Sequence, residues 1–483
     1  MFRIKFVIFL LLITSVVTAK VENLASFNTT SMDDHKVRII DSGFEALKER
    51  IEMINRATKT IDVEYLIYNR DQSGRLVTQA LLKKAREGVK VRMLFDNLLI
   101  VGQIDPFVSK QLNDAGIEIK FYNTASLLEL SDVQFKNHRK TLIIDNKEFI
   151  LGGRNIGDDY FDLSDHFNFL DRDVVVQGPI TEKVTDTFNV FWNSKVSELP
   201  KKMPAKPPIK IDPTKYSLKK LKSRSTMVYK WYKKVLDARD FLTENDKDKE
   251  VLRRLEKFPK EYKTHTVRNI TFVSDLPGKK VKSTRIISHY ILEQMEALDS
   301  GDTMTIDTPY FLVDKDLKVT LKTLLERGTK VEVHTNSLYS TDAIYVNTMF
   351  NWTIRKWIKG GLHVYTFNGF KPDFLMTPFE SIRKARFGTH AKSVVFNDTE
   401  SMISTFNFDP HSKYFNAESG LFFHDNPEMA KELRGAIHRK MKYARKLTSS
   451  KDVSKHKFDN VSFGKSVLYY LLGPITLLAY PIL

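Results

Sequence analysis

The sequence predicts an α/β protein of two pseudo-symmetric lobes. Each lobe is expected to hold a mixed, mostly parallel sheet flanked by helices, with the functional site where the lobes meet. Three observations carry this expectation. A strand–helix–glycine–strand plan occurs twice along the chain. A short stretch built on histidine, lysine and asparagine also occurs twice, with matched spacing. Finally, 483 residues are ample for two sizeable cores.

Composition narrows the class. Apolar residues make up 42% and charged residues 28%, an ordinary globular balance. Cysteine is absent, which excludes disulfides, a thiolate metal site, a catalytic thiol and a lipid-anchored N-terminal cysteine. The net charge is +17.

Taken in chain order, the first segment is 1–19. Arg3 and Lys5 precede a nearly all-apolar run from Phe6 to Val17, and Val17, Thr18 and Ala19 put small side chains at a cleavage position. This is the pattern of a secretory signal peptide cut after Ala19, with an uncleaved anchor as the alternative. Either implies export, to the periplasm or a membrane in a bacterium. The first lobe is expected over 20–200. Its text at 61–67 reads as a buried strand, 76–86 as a helix, and 87–95 as a glycine turn followed by a second strand. Such βαβ units predict parallel pairing with helices on the sheet faces.

Residues 201–262 are expected to link the lobes. Pro200, Pro204, Pro207, Pro208 and Pro213 open the stretch, and a charged helical pattern follows from Leu218 to Phe258. Residues 201–260 carry 19 Lys and Arg against 8 Asp and Glu. The excess suits either a solvated connector or a patch for an anionic surface, lipid or nucleic acid. The second lobe, 263–449, repeats the plan: a strand at 304–310, a helix at 317–326, then Gly328 and a strand to 333. A tail over 450–483 closes the chain. Val467 to Leu483 has no charge, three tyrosines and two prolines, and basic residues precede it. That order suits an interfacial membrane contact or a segment docked on the core.

The duplicated motif is the most informative text. The first copy holds His138, Lys140 and Asp145, then Gly152, Gly153, Arg154 and Asn155. The second holds His390, Lys392 and Asn397, then Ser404, Thr405, Phe406 and Asn407. His to Asn is 17 residues in both. A His-x-Lys-x4-Asp string should arise by chance only about 0.07 times in this composition. Each His and its Lys are two apart in strand-like text, so they share a face. Packing the halves about a pseudo-twofold axis would bring two imidazoles and two ammonium groups into one cleft. That set suits a phosphodiester, because the lysines offset charge on its oxygens.

These residues resemble the phospholipase D superfamily, whose hallmark is this element used twice. Residues 152–161 and 406–418 further resemble bacterial cardiolipin synthases. The resemblance implies a metal-independent phosphodiesterase or phosphatidyltransferase that passes through a covalent phosphohistidine and uses no cofactor. It implies His138 and His390 as nucleophile and acid/base, with His138 favoured for attack and the order left open. Lys140, Lys392 and Asp145 complete the expected catalytic set. Asn155, Asn407, Gly152, Gly153, Ser404 and Thr405 are expected around the phosphate. Asp173 and Glu418 are expected to orient the histidines. Asn397 departs from the pattern, where the family has Asp. Asp145 opens a turn, so its second-copy partner is expected to bond turn backbone, which Asn does equally well.

The expected substrate is a phospholipid, met at a membrane surface through the basic linker and the tail. The alternative is an exported endonuclease, since the same positive charge would serve DNA or RNA. One chain carries both motif copies, so a monomer suffices for a complete site.

Overall fold

In the computed structural model the described residues are 27–100, 102–124, 134–205, 226–260, 262–278 and 285–479. The expected signal segment, 1–19, lies outside them. Two nine-stranded sheets dominate the described residues. The first sheet runs Ser197–Glu198, Ile117–Tyr122, Lys90–Asp96, Thr60–Tyr65, Thr141–Ile144, Glu148–Gly152, Asp173–Gln177, His35–Ile40 and Thr264–Val267. The second runs Ala444–Leu447, His363–Phe367, Lys330–Asn336, Thr303–Asp307, Ser393–Val395, Ser401–Ser404, Ser419–Phe423, Ile270–Ser274 and Asn28–Ser31. The orders correspond strand for strand, which is the duplication expressed in three dimensions.

The α/β class and the two lobes stand as expected, but the mostly parallel pairing does not. Within the two sheets, parallel ladders join Thr60–Tyr65, Lys90–Asp96 and Ile117–Tyr122, and their counterparts in the second sheet. The remaining ladders within the two sheets are antiparallel. The reason lies in the connections. A helix returns the chain between parallel strands, whereas the tight turn at Asp145 and Asn146 forces Thr141–Ile144 and Glu148–Gly152 into a hairpin.

The repeated βαβ unit shows why these sequences form these elements. The helix Gln72–Arg86 starts where Asp71 accepts a hydrogen bond from the Gly74 amide, 3.1 Å. Its counterpart Lys315–Arg327 starts the same way, with Asp314 accepting from the Leu317 amide at 2.9 Å. That helix ends at Gly328, whose φ of +90° suits a residue without a Cβ. The chain then enters Lys330–Asn336 in parallel register with Thr303–Asp307.

Edge strands cross between lobes. Asn28–Ser31, from the start of the described chain, pairs with Ile270–Ser274 of the second sheet. Thr264–Val267, at the start of the 263–449 stretch, pairs with His35–Ile40 of the first. A shared apolar core joins the lobes, with Val37, Leu151, Val174 and Phe188 from one and Phe272, Ile403, Leu421 and Leu433 from the other. The helices Ile180–Trp192 and Pro427–Met441 supply much of it.

Within the expected linker, Thr226–Phe241 and Asp246–Lys257 are helices separated at Asn245, which forms a capping box with Asp248. Ala238, Phe241, Val251 and Leu255 are buried in the first lobe's core. This part of the stretch is therefore packed structure.

Candidate active site

Both motif histidines lie at the lobe interface, each just before a short strand. The His138 amide donates to the Ala417 carbonyl at 2.9 Å, and the His390 amide donates to the Leu170 carbonyl at 3.0 Å. Each histidine is thus anchored by backbone to the opposite lobe. The anchoring residue in each case immediately precedes an acid, Glu418 or Asp171. His138 Nδ1 lies 2.7 Å from Glu418 Oε2, and His390 Nδ1 lies 2.5 Å from Asp171 Oδ2. A ring that spends Nδ1 on a carboxylate keeps Nε2 for chemistry. The rings are nearly enclosed, with His138 7% and His390 6% exposed, so only an edge of each residue reaches solvent.

The lysines complete the centre. Lys140 Nζ donates to the His138 carbonyl at 2.6 Å, and Lys392 Nζ donates to the His390 carbonyl and lies 2.9 Å from its Nδ1. Both ammonium groups are buried. Burial pushes Lys140 down to about 7 and Lys392 down to about 8, with the acids Glu418 and Asp171 opposing. Burial, then Lys140, Lys392 and His390, hold His138 well below its ordinary value. Burial and Lys392 lower His390, while Asp171 opposes them.

The two acids differ in charge state. Burial works against ionising Asp171, but His390, Lys392 and Arg154 outweigh it and hold the group down to about 2. Burial dominates at Glu418 and pushes it up to about 8, although Lys140 favours ionisation. Asp171 is thus held as the anion beside His390, while Glu418 beside His138 is held toward its neutral form. The halves are therefore symmetric in shape and unequal in electrostatics.

Four expectations change on these contacts. Asp173 does not meet a histidine. It lies one rung further along the ladder, opposite Gly152, in ion pairs with Arg50 at 2.8 Å and Arg154 at 3.2 Å. The acid that meets His390 is Asp171, which the sequence reading missed. A signal for it exists: Asp171 stands three residues before the apolar run Val174–Val175–Val176, as Glu418 stands three before Leu421–Phe422–Phe423.

Asp145 is separated from Lys140 by the strand Thr141–Ile144, about 13 Å of chain at strand rise. There its carboxylate accepts from the amides of Thr58, Lys59 and Thr60 and from the Thr58 hydroxyl, so it braces a turn and touches no reacting group. Gly152 and Gly153 make room for acids rather than for phosphate. A Cβ on Gly153 would stand 2.1 Å from Asp171 Oδ1, and one on Gly152 would stand 2.3 Å from Asp173 Oδ1. Ser404 and Thr405 likewise serve the framework. The Ser404 amide donates to the Lys392 carbonyl at 2.9 Å, and the Thr405 hydroxyl donates to Glu418 Oε2 at 2.5 Å.

Asn155 and Asn407 are both buried. Asn155 donates from Nδ2 to the Tyr160 hydroxyl at 3.0 Å and accepts from the Ile67 amide, which leaves a second amide hydrogen. Asn407 Oδ1 has no hydrogen-bond partner among the described residues. Other contacts were not expected. The rings of Phe169 and Tyr160 lie 4.8 and 5.4 Å from His390, centroid to centroid. Asn416 donates to Glu418 Oε1 at 3.0 Å. Asn397 behaves as the turn reading expects: its Oδ1 accepts from the Thr399 and Glu400 amides.

Comparison with known proteins agrees with this geometry. The family model described as "Cardiolipin synthase, PLD-like domain" matches residues 50–192 and 295–441. An uncharacterized protein of Helicobacter pylori strain J99 is 30% identical over 431 residues, covering 86% of this chain and 82% of its own. Cardiolipin synthase C of Escherichia coli K12 is 25% identical over 406 residues, covering 79% of this chain and 80% of its own. Among solved structures, phosphatidylserine synthase from Haemophilus influenzae Rd KW20 superposes with a TM-score of 0.63 at 15% identity, covering 92% of this chain and 95% of that one; it shows the shared fold. With both lobes matched and both histidines seated at their junction, the chain belongs to the cardiolipin synthase-like branch of the phospholipase D superfamily.

Proposed function

We propose that the protein is a phosphatidyltransferase acting on phospholipids through a covalent phosphohistidine. The observation that carries this reading is the crossed pairing: each motif histidine bonds an acid of the other lobe, with a buried lysine beside each. The phospholipid substrate is supported by the names of the relatives, the cardiolipin synthases above all.

The unequal acids favour one order of events, because the anion Asp171 supports a protonated ring better than Glu418 does. His138, held neutral, attacks phosphorus through Nε2. A P–N bond forms and the P–O bond to the headgroup breaks. His390, whose protonated form Asp171 stabilises, gives its proton to the leaving alkoxide. An incoming alcohol then returns a proton to His390 as its oxygen attacks phosphorus and the P–N bond breaks. Lys140 and Lys392 hold the non-bridging oxygens, and the negative phosphodiester raises their proton affinity on binding. Water in place of the alcohol would give phospholipase D hydrolysis by the same steps.

The test is product analysis by mass spectrometry, with phosphatidylglycerol vesicles as substrate and EDTA present. Release of glycerol with formation of cardiolipin is expected, and phosphatidic acid would mark the hydrolytic branch. Cleavage of DNA or RNA with no lipid turned over would overturn the reading in favour of a nuclease.

A further inference from the structure

The C-terminal segment forms the helix Phe463–Ala479, packed on the helix Ile344–Lys359. Tyr469 is buried in that contact, and Gly473 lies against Thr348 and Trp352. Over 463–471 the other face is bare. Phe463 is 85% exposed, Leu471 is 64% exposed, and Val467, Leu468 and Tyr470 are exposed with them. Positions 463, 467 and 471 are four apart, so they form one stripe along the helix. On the supporting helix, Tyr345 and Trp352 are also exposed. An apolar stripe of this kind facing water needs an occupant.

Charge and position identify that occupant. The helix has no acidic residue, and the exposed Lys442, Arg445, Lys446, Lys451 and Lys455 lie in the segments leading to it. The Lys457 ammonium lies over the rings of Tyr469 and Tyr470. Asp459, among these cations, is already paired with Arg445 and His456. The helix is 17 residues long, about 25 Å at helical rise. That is shorter than the roughly 30 Å hydrocarbon core of a bilayer. Among the described residues no helix is long and apolar enough to cross a membrane. Apolar face, basic flank and short length together describe a helix lying in an anionic lipid surface.

The same helix is tied to the segment that carries Asp342. Lys465 Nζ donates to the Thr341 carbonyl at 2.9 Å and to the Tyr339 carbonyl at 3.3 Å. Next in chain, Asp342 accepts from the Tyr310 hydroxyl at 2.9 Å, and its charge acts on His390 and Lys392. Exposed Phe370 packs on Tyr339. We infer that the Phe463–Ala479 helix docks on an anionic bilayer and holds the cleft mouth against it, so that lipid enters from the membrane plane. This deepens the phospholipid reading by assigning the surface that meets the substrate.

Sedimentation of the full chain with vesicles tests it, using equal parts phosphatidylglycerol and phosphatidylcholine against phosphatidylcholine alone. Binding to the anionic vesicles is expected, with F463E/L471E weaker by about tenfold or more because two carboxylates face the lipid. Both side chains are exposed, so cooperative thermal unfolding of the variant should be unchanged. In a second measurement, F463W in the otherwise native chain should shift its emission to the blue when anionic vesicles are added. His138→Ala should bind vesicles as the native chain does, so a failed catalytic reading leaves the docking result intact. Equal vesicle binding by F463E/L471E and the native chain would overturn the proposal. So would a stripe whose carboxylates dissolve a dimer while vesicle binding persists.

Discussion

At the scale of single residues, two neighbouring acids do different work. Asp171 bonds His390, while Asp173 neutralises Arg50 and Arg154 in the core. Asp171→Asn should therefore fold normally and lose turnover by about a thousandfold or more, as when the acid of a catalytic triad is neutralised. Asp173→Asn should instead lose about 3 kcal/mol or more of stability by leaving two buried guanidinium groups underpaired. Turnover and urea unfolding of both variants separate the roles. The lysines set a pH dependence. In free enzyme their ammonium forms are lost as pH rises through about 7 for Lys140 and about 8 for Lys392. kcat/KM should accordingly fall above neutrality. kcat should fall at higher pH, since bound phosphodiester retains both protons. His138 is already neutral well below its ordinary value, so the acidic limb should lie below pH 6.5. A pH profile rising through pH 8 would contradict this assignment. The histidines and lysines were legible in the sequence because duplication marks them. Asp171 was missed, because Asp171 and Asp173 both precede the same apolar run, and only an offset matched to that of Glu418 tells them apart in the sequence.

At the scale of elements, the second motif copy tests what its last position does. Asp145 and Asn397 each cap a hairpin turn, accepting backbone amides at the strand end remote from the histidine. Asn397→Asp should change turnover by less than about twofold, since an Asx turn accepts either residue. Asp145→Ala should cost about 1–3 kcal/mol in thermal or urea unfolding, because it strips acceptors from three amides. A large gain in rate from Asn397→Asp would reassign that position to proton transfer. The βαβ units were legible because helix caps, glycine exits and apolar strands each leave a local mark. The turn at Asp145 was legible as well, and φ of +52° at Asp145 and +55° at Asn146 makes it the tight reversal of a hairpin. The basic helices hid their packing. Val251 and Leu255 are apolar punctuation in charged text, and only tertiary contact shows them in the core.

At the scale of the whole molecule, the site exists only because the lobes are crossed. Each histidine takes its backbone anchor and its acid from the other half, and each sheet takes an edge strand from across the boundary. Pseudo-symmetry supplies two equivalent imidazoles, and their unequal acids would divide their labour. The central claim is that His138 carries the phosphatidyl group while His390 moves protons. A phosphatidyl ester of p-nitrophenol tests it most directly, because this leaving group departs without a proton. His390→Ala should release a burst approaching one equivalent of nitrophenolate and then stall, since water is no longer deprotonated. Alkaline quench and peptide mass spectrometry should locate the adduct on His138. An adduct on His390 in the His138→Ala chain, or sustained turnover by His390→Ala with no adduct on either ring, would contradict the account.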